Sequence, residues 1–272
     1  MVSVIVGVLV AIILLSSTVF TVKSISVEYQ TTLNYITEKD FDGIIEDGAF
    51  EYGKNIFFVR FDENIRKIEK ANPYVKVNNI ERKFPSYACV NISERMPVVQ
   101  MEAGRGKYIL DSEGKIVNIV STFNDYILVK GENDLPHLRI NNVEGVNLKL
   151  DNYETGDFVL NEKLTFWLDA FYRGAVRSSA TDESSAISCI SIIESIEIDY
   201  DKEIEAIRFH LIYKNYSYEE NSEIHPLEST ISGEKDLVDS VYKIISAVRA
   251  VGDKYKNINC INGEIFYGEK TN

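Results

Sequence analysis

The feature that most constrains this chain is an uncharged stretch near its N-terminus. No charged side chain occurs in the 19 residues from Val4 to Val22, and 13 of them are Val, Ile, Leu or Phe. At about 1.5 Å of rise per residue, a helix of this length nearly spans the roughly 30 Å hydrocarbon core of a bilayer. The stretch therefore predicts a single transmembrane anchor over residues 1–22, with membrane lipid as its partner.

A cleaved signal peptide is the competing interpretation of this stretch. It lacks a basic n-region, exceeds a usual h-region, and has no A-x-A-like site between Thr21 and Ser26. These features favour a retained anchor. No Lys or Arg precedes the helix and Lys23 follows it, which on the positive-inside rule weakly favours a cytoplasmic location for the bulk of the chain. A start codon further upstream would add a basic cytoplasmic tail, and we expect the bulk of the chain to be extracytoplasmic.

The charge balance excludes one class of partner. The chain has 42 acidic and 29 basic side chains, a formal net charge of -13. Such a surface repels phosphate backbones and anionic lipid, so we expect no nucleic-acid partner. Cys89, Cys189 and Cys260 are far apart and without C-x-x-C spacing, which favours buried thiols over a zinc site or a disulfide framework. Oxidation of one pair outside the cell stays open.

The region 23–95 predicts a small α+β domain in the order strand, helix, helix, strand, strand. Apolar and polar residues alternate from Ser24 to Tyr29, the period of a half-buried strand. Asp40 belongs to a capping-box pattern before a first helix. Asp62 is placed to cap a second helix, which Pro73 ends.

Two alternating runs then predict a hairpin. The first extends from Tyr74 to Lys83, and the second carries Ala88, Val90 and Ile92 after a turn at 84–86. The two helices must cover one face of the resulting small sheet, and we expect its other face to be open.

The region 96–272 predicts a β-rich distal lobe with flanking helices. The predicted elements are a hairpin about Asp111-Ser112-Glu113-Gly114, a helix from Asn161 to Val176, paired strands from Ile187 to Tyr200 and Glu203 to Tyr213, a helix starting near Gly233, and a short strand from Glu264 to Tyr267.

No motif of the chain predicts chemistry. His137, His210 and His225 lie far apart and in no metal-binding frame. Gly104-Arg105-Gly106 lacks the third glycine of a phosphate-binding loop, and the abundant carboxylates are typical of a solvated acidic face. We therefore expect no catalytic residue, metal, cofactor or small-molecule substrate. A hydrolase on the acidic surface is the least supported alternative.

Several short motifs resemble the FtsQ/DivIB family of bacterial cell-division proteins, whose membrane-proximal module is a POTRA domain. They are Gly53-Lys54-Asn55-Ile56-Phe57-Phe58-Val59, Asn72-Pro73-Tyr74-Val75, Ile80-Glu81-Arg82-Lys83-Phe84-Pro85, Val90-Asn91-Ile92-Ser93-Glu94-Arg95-Met96-Pro97-Val98 and Ile109-Leu110-Asp111-Ser112-Glu113-Gly114-Lys115. These motifs are similar to family segments over residues 53–120. The chain departs from the family at Glu28-Tyr29-Gln30, where a Gly-Asn turn is usual, and in lacking a basic tail.

The resemblance implies a non-catalytic, single-pass scaffold at the division septum. It implies a POTRA-like β-α-α-β-β domain over 23–95 and a distal β lobe that binds small, coiled-coil, single-span division proteins. In members of this family, a strand of the partner pairs with a terminal edge of that lobe. The resemblance therefore assigns partner binding in this chain to Ile265, Phe266 and Tyr267.

Two alternatives stay open. The terminal strand is as well explained by packing wholly into its own sheet. The chain as a whole is also compatible with a POTRA-type docking component of another cell-envelope or sporulation assembly.

Overall fold

The computed structural model describes residues 19–29, 40–103, 106–121, 135–141, 153–178, 189–201, 206–220, 223–232 and 236–269. The chain divides into two compact units, Met1–Arg95 and Met96–Asn272. We call them the N-terminal unit and the C-terminal unit. The described residues form 12 strands and four α-helices in two mixed sheets.

The predicted fold class is wrong in its first element, the transmembrane helix. No helix among the described residues is long and apolar enough to cross a membrane. Residues 1–18 lie outside the described part, but the last four residues of the predicted span are not helical. Thr21 forms a β-bridge with Asn55, and the Val22 amide donates to the Lys54 carbonyl at 2.9 Å. Residues 21–22 are therefore held by backbone pairing with residues 54–55 and not by helical hydrogen bonds.

The N-terminal unit is a three-stranded sheet with two helices. Its elements are β1 (Ser24–Tyr29), α1 (Phe41–Asp47), α2 (Asp62–Ala71), β2 (Val75–Lys83) and β3 (Tyr87–Glu94). The sheet order is β1-β3-β2, with β1 parallel and β2 antiparallel to the central strand β3. A parallel neighbour requires a crossover, which the α1–α2 segment supplies.

The core of this unit lies between the helices and one face of the sheet. Ile44 of α1 and Ile68 of α2 are fully buried against inward side chains of β2 and β3. Those strand residues are Val75, Val77, Val90 and Ile92. The alternation that predicts these strands therefore also identifies their inner face.

On the opposite face of the sheet the flanking strands are exposed, for example at Glu28 and Glu81, but the central strand is covered. Cys89 is 0% and Asn91 is 7% exposed, although both lie on the face away from the helices. Asn91 donates to the Asn79 side chain, and Ser26 lies 3.6 Å from the Cys89 sulfur. Polar side chains of the flanking strands therefore cover the central strand.

The C-terminal unit is a nine-stranded sheet with two helices. Its elements are β4 (Pro97–Ala103), β5 (Gly106–Asp111), β6 (Ile116–Ser121), β7 (His137–Asn141), α3 (Glu162–Ser178), β8 (Ile193–Asp201), β9 (Ala206–Glu220), β10 (Glu223–Ser232), α4 (Leu237–Val251), β11 (Tyr255–Ile261) and β12 (Glu264–Glu269). The sheet order is β12-β11-β10-β9-β8-β7-β4-β5-β6.

Helices α3 and α4 pack against each other and against the sheet. The Trp167 ring of α3 lies 6.4 Å from the Phe209 ring of β9 in an edge-on contact. Gly174 of α3 meets Val241 of α4 so closely that an added Cβ would lie 2.6 Å from the valine Cβ. A helix pair this close leaves only a small residue at the crossing point. The apolar stripe on α3 is therefore core.

Candidate partner-binding edge of the sheet

Strand β12 lies at one end of the nine-stranded sheet. It pairs antiparallel with β11, and β11 pairs in parallel with β10. No other described strand pairs with β12. On an end strand, every second residue directs its backbone N–H and C=O away from the sheet. Within the part of the chain that the structure describes, β12 therefore has a row of unpaired main-chain donors and acceptors, the groups that strand addition uses.

The turn between β11 and β12 has the sequence Asn262-Gly263. Both residues have positive φ, 50° and 85°. Asn-Gly favours the two-residue hairpin turn that matches the twist of the flanking strands. The turn is also tied to the rest of the unit, because the Asn262 amide donates to the Ser232 carbonyl at 3.1 Å.

Helix α4 supports the turn through one lysine. Lys243 Nζ donates to the Gly263 carbonyl at 2.9 Å and lies 2.8 Å from Asp239 Oδ2. The hydrogen bond to Asp239 raises the pKa of Lys243 and in turn lowers the pKa of Asp239. The lysine therefore stays charged while it holds the hairpin against the helix.

The three predicted binding residues all lie on β12, but on both of its faces. Ile265 pairs with Cys260 and Tyr267 pairs with Ile258. Because opposite residues of an antiparallel pair share a face, Ile265 and Tyr267 lie on the face of the buried Cys260 and Ile258. Phe266 pairs with Asn259 and lies on the other face. The structure thus brings two of the three together.

Sequence reasoning missed one residue of this edge. Ile261 of β11 is 45% exposed, close to the 49% of Phe266. Ile261 pairs with Glu264, so it is a diagonal neighbour of Phe266 on the same face. The sequence does contain a signal for strand β11, since residues 257–260 alternate polar and apolar before an Asn-Gly turn. The exposed edge is therefore an apolar patch and not a single aromatic residue.

The opposite end of the sheet is covered in part. The Ile116 amide of β6 donates to the Asp157 carbonyl at 2.9 Å, and the Gly156 amide donates back to Ile116 at 2.8 Å. Lys115 also forms a β-bridge with Phe158. The segment 153–160 thus pairs with main-chain groups on the outer side of β6. No described segment pairs with the outer side of β12. Of the two ends of the described sheet, β12 is the more open.

The three histidines lie on three different strands in the structure. His137 begins β7, His210 lies on β9 and His225 on β10. No group of three or more His, Cys, Asp or Glu side chains in the described part of the chain is placed to hold a metal ion. The three cysteines are free and buried.

Three curated cell division proteins are similar to part of this chain. The chain is 25% identical over 121 residues to a cell division protein DivIB of Clostridium tetani, covering 44% of this chain and 40% of that protein. It is 28% identical over 92 residues to a DivIB of Clostridium acetobutylicum, covering 33% and 35%. It is 31% identical over 83 residues to a cell division protein FtsQ of Corynebacterium glutamicum, covering 30% and 37%.

Over 30% to 44% of its length, the chain is similar to cell division proteins of the FtsQ/DivIB family. The resemblance drawn from the sequence motifs is thereby confirmed. No family model matches the chain. The chain spans only 35% to 40% of the length of these FtsQ/DivIB relatives.

Proposed function

We propose that this chain is a non-catalytic scaffold of the bacterial division septum, which recruits other division proteins. Its N-terminal unit acts as a POTRA-type module. Its C-terminal unit binds a partner at β12. The curated relatives are named as cell division proteins, which supports the division role. The β-α-α-β-β order of the N-terminal unit supports the POTRA assignment.

The open edge at β12 is the observation that carries the binding proposal. An added strand satisfies its outward main-chain groups, and side chains on alternate positions then select the partner. Phe266 and Tyr267 are 49% and 46% exposed, on opposite faces of β12. The center of the strand carries no Lys or Pro, the residues that usually protect an edge from pairing.

The proposed partners are small, coiled-coil, single-span division proteins that contribute an extended segment beside β12. Apolar side chains of that segment contact Phe266 and Ile261 on one face and Tyr267 on the other. Glu264 and Glu269 at the ends of β12 favour basic residues at the ends of the segment. A small-molecule substrate has no part in this proposal.

Affinity capture with a matched pair of variants tests the edge. The full chain is captured from crosslinked, gently solubilised cells in three forms: unchanged, Phe266→Asp and Phe166→Asp. Phe166 is 62% exposed on α3 of the same unit, so its replacement adds the same charge to another exposed site. We expect Phe266→Asp alone to lose the small division proteins. Equal recovery with both variants would contradict binding at β12.

Cell imaging tests the division role separately. The fluorescently tagged chain is expected to concentrate at mid-cell, and its depletion is expected to cause filamentation. Uniform peripheral signal with recovery of unrelated envelope proteins would instead favour the docking component of another envelope or sporulation assembly. Partner binding at β12 and the role in cell division are therefore tested independently of each other.

A further inference from the structure

Three phenylalanines of the N-terminal unit, Phe20, Phe57 and Phe84, form an aromatic cluster beside the exposed Phe58. The Phe57 and Phe84 rings lie 4.8 Å apart, and Phe20 lies 5.4 Å from Phe57 and 6.5 Å from Phe84. Phe57 and Phe84 are 53% and 55% exposed, and the neighbouring Phe58 is 84% exposed. We call Phe20, Phe57, Phe58 and Phe84 the aromatic surface. Contiguous apolar exposure of this kind marks a contact with a protein or a membrane.

The loop that presents these rings is held firmly in place. Ile56 is fully buried, and its amide donates to the Phe20 carbonyl at 2.8 Å. Arg82 donates to the carbonyls of Ile56 and Val59 at 3.0 and 2.7 Å. The Phe57 amide donates to Asn55 Oδ1 at 3.0 Å. Because both ends of the loop are fixed, the exposure of Phe57 and Phe58 is a property of the folded unit.

The charges around the aromatic surface are opposite in sign to those of the whole chain. The residues within three positions in sequence of its four members include five basic side chains and one acidic one, Glu81. Two of the basic side chains also form ion pairs, Lys54 with Glu51 and Lys83 with Glu28, so five basic groups face three acidic ones. The basic ones are Lys23, Lys54, Arg60, Arg82 and Lys83. The whole chain carries a net charge of -13. A basic rim around apolar rings complements an anionic lipid surface.

The neighbouring sequence favours a lipid surface over a protein as the partner of the aromatic surface. Residues 4–18, which lead directly to Phe20, carry no charged side chain and are mostly Val, Ile and Leu. No charged segment therefore separates the aromatic surface from this apolar sequence. We propose that the aromatic surface lies in the interfacial layer of an anionic bilayer, with its rings among the upper acyl chains and its basic rim at the headgroups.

Two variants, each with one added tryptophan, test this contact. Phe58→Trp places an indole on the aromatic surface, where its exposure leaves room for the larger ring. Tyr74→Trp is the control, because Tyr74 and Phe84 flank opposite ends of the nine-residue strand β2, which puts them about 30 Å apart. The full-length variants are reconstituted in vesicles of phosphatidylglycerol and brominated phosphatidylcholine. Emission of the unchanged chain, which has one tryptophan, is subtracted.

We expect bromine to reduce the emission of Trp at position 58 by about half and to leave the control almost unchanged, as for an interfacial ring. Equal quenching at both positions would overturn the proposal. A blue shift at position 58 without quenching would also overturn it, because a protein partner or second copy would then cover the rings. Quenching that stays the same without phosphatidylglycerol would overturn the role of the basic rim. None of these outcomes bears on the division role, which imaging and capture test.

Discussion

The guanidinium of Arg95 lies 3.2 Å from the carboxylate of Glu69 inside the N-terminal unit, with the two side chains only 4% and 15% exposed. Arg95 Nε also donates to the Val75 carbonyl at 3.3 Å, and the Val77 amide donates to Glu69 Oε1 at 2.9 Å. The pair therefore joins α2, the start of β2 and the last residue of the unit. Since both charges are buried, each depends on the other.

The first prediction concerns this pair. Glu69→Ala leaves the Arg95 charge buried without its carboxylate, so we expect it to destabilise the N-terminal unit by about 3–5 kcal/mol. The double variant Glu69→Leu with Arg95→Met removes both charges and is expected to be close to neutral. Hydrogen exchange of the β2 amides measures the loss in this unit alone. A single variant that exchanges as slowly as the unchanged chain would show that the pair does not stabilise the fold.

The second prediction concerns the helix crossing in the C-terminal unit. A Cβ at Gly174 would lie 2.8 Å from the Val238 carbonyl oxygen as well as 2.6 Å from Val241. Because a backbone atom cannot turn away, we expect Gly174→Ala to cost about 1–3 kcal/mol. Urea denaturation followed by Trp167 fluorescence measures it, since this is the one tryptophan and is buried on α3.

A matched glycine provides the control for that substitution. Gly43 lies in α1, and an added Cβ there would meet nothing within 4 Å. Gly43→Ala is therefore expected to stabilise its own unit by roughly 0.5–1 kcal/mol through helix propensity. If Gly174→Ala did not lower the free energy of unfolding either, the contact between α3 and α4 would not restrict the residue at position 174.

The third prediction concerns the hairpin turn that holds the candidate edge. Gly263 has φ of 85° and open space where a Cβ would lie. Gly263→Ala therefore adds backbone strain without a clash, at a cost of about 1–2 kcal/mol. We expect faster hydrogen exchange in β11 and β12 and weaker partner capture. Asn262→Gly at the neighbouring positive-φ position is the control and should leave both readouts nearly unchanged.

Local patterns in the sequence predicted most of the N-terminal unit. Alternation predicted β1 with the bounds Ser24–Tyr29, and Pro73 marked the end of α2, whose last residue is Ala71. The cap was wrong: Asp62 is the first helical residue, and Phe61 occupies the cap position without a side-chain hydrogen bond. Asp62 instead lies in the first turn, where its negative charge interacts favourably with the helix dipole.

The C-terminal unit was less predictable because its sheet is assembled from distant segments. Strands β4, β7, β10 and β11 were not predicted. Strand β7 has parallel partners on both sides, which no hairpin turn announces, and β11 also pairs in parallel with β10. The terminal strand was predicted from its own residues, but its place at the end of the sheet depends on β11. The exposure of Ile261 therefore could not be inferred from the sequence of β12 alone.

The last prediction concerns His137, which begins β7. Burial lowers the pKa of His137 below its ordinary value of 6.5, and the positive charge of Lys107 lowers it further, against the opposing effect of Glu102. Glu102 Oε1 lies 3.6 Å from Nδ1, and Gln100 Nε2 lies 3.3 Å from Nε2. The folded state therefore disfavours a protonated imidazole at this site.

The sign of the pH dependence follows from this difference in proton binding. Below about pH 6.5 the unfolded chain binds a proton at His137 more readily than the folded chain, so stability falls as the pH falls toward 5. We expect His137→Gln to flatten this part of the profile, measured by urea denaturation with Trp167 fluorescence from pH 7.5 down to about 5. Most carboxylates titrate below this window, which separates their effect from that of the imidazole. A variant with the same slope as the unchanged chain would assign the acid sensitivity of the C-terminal unit to other groups.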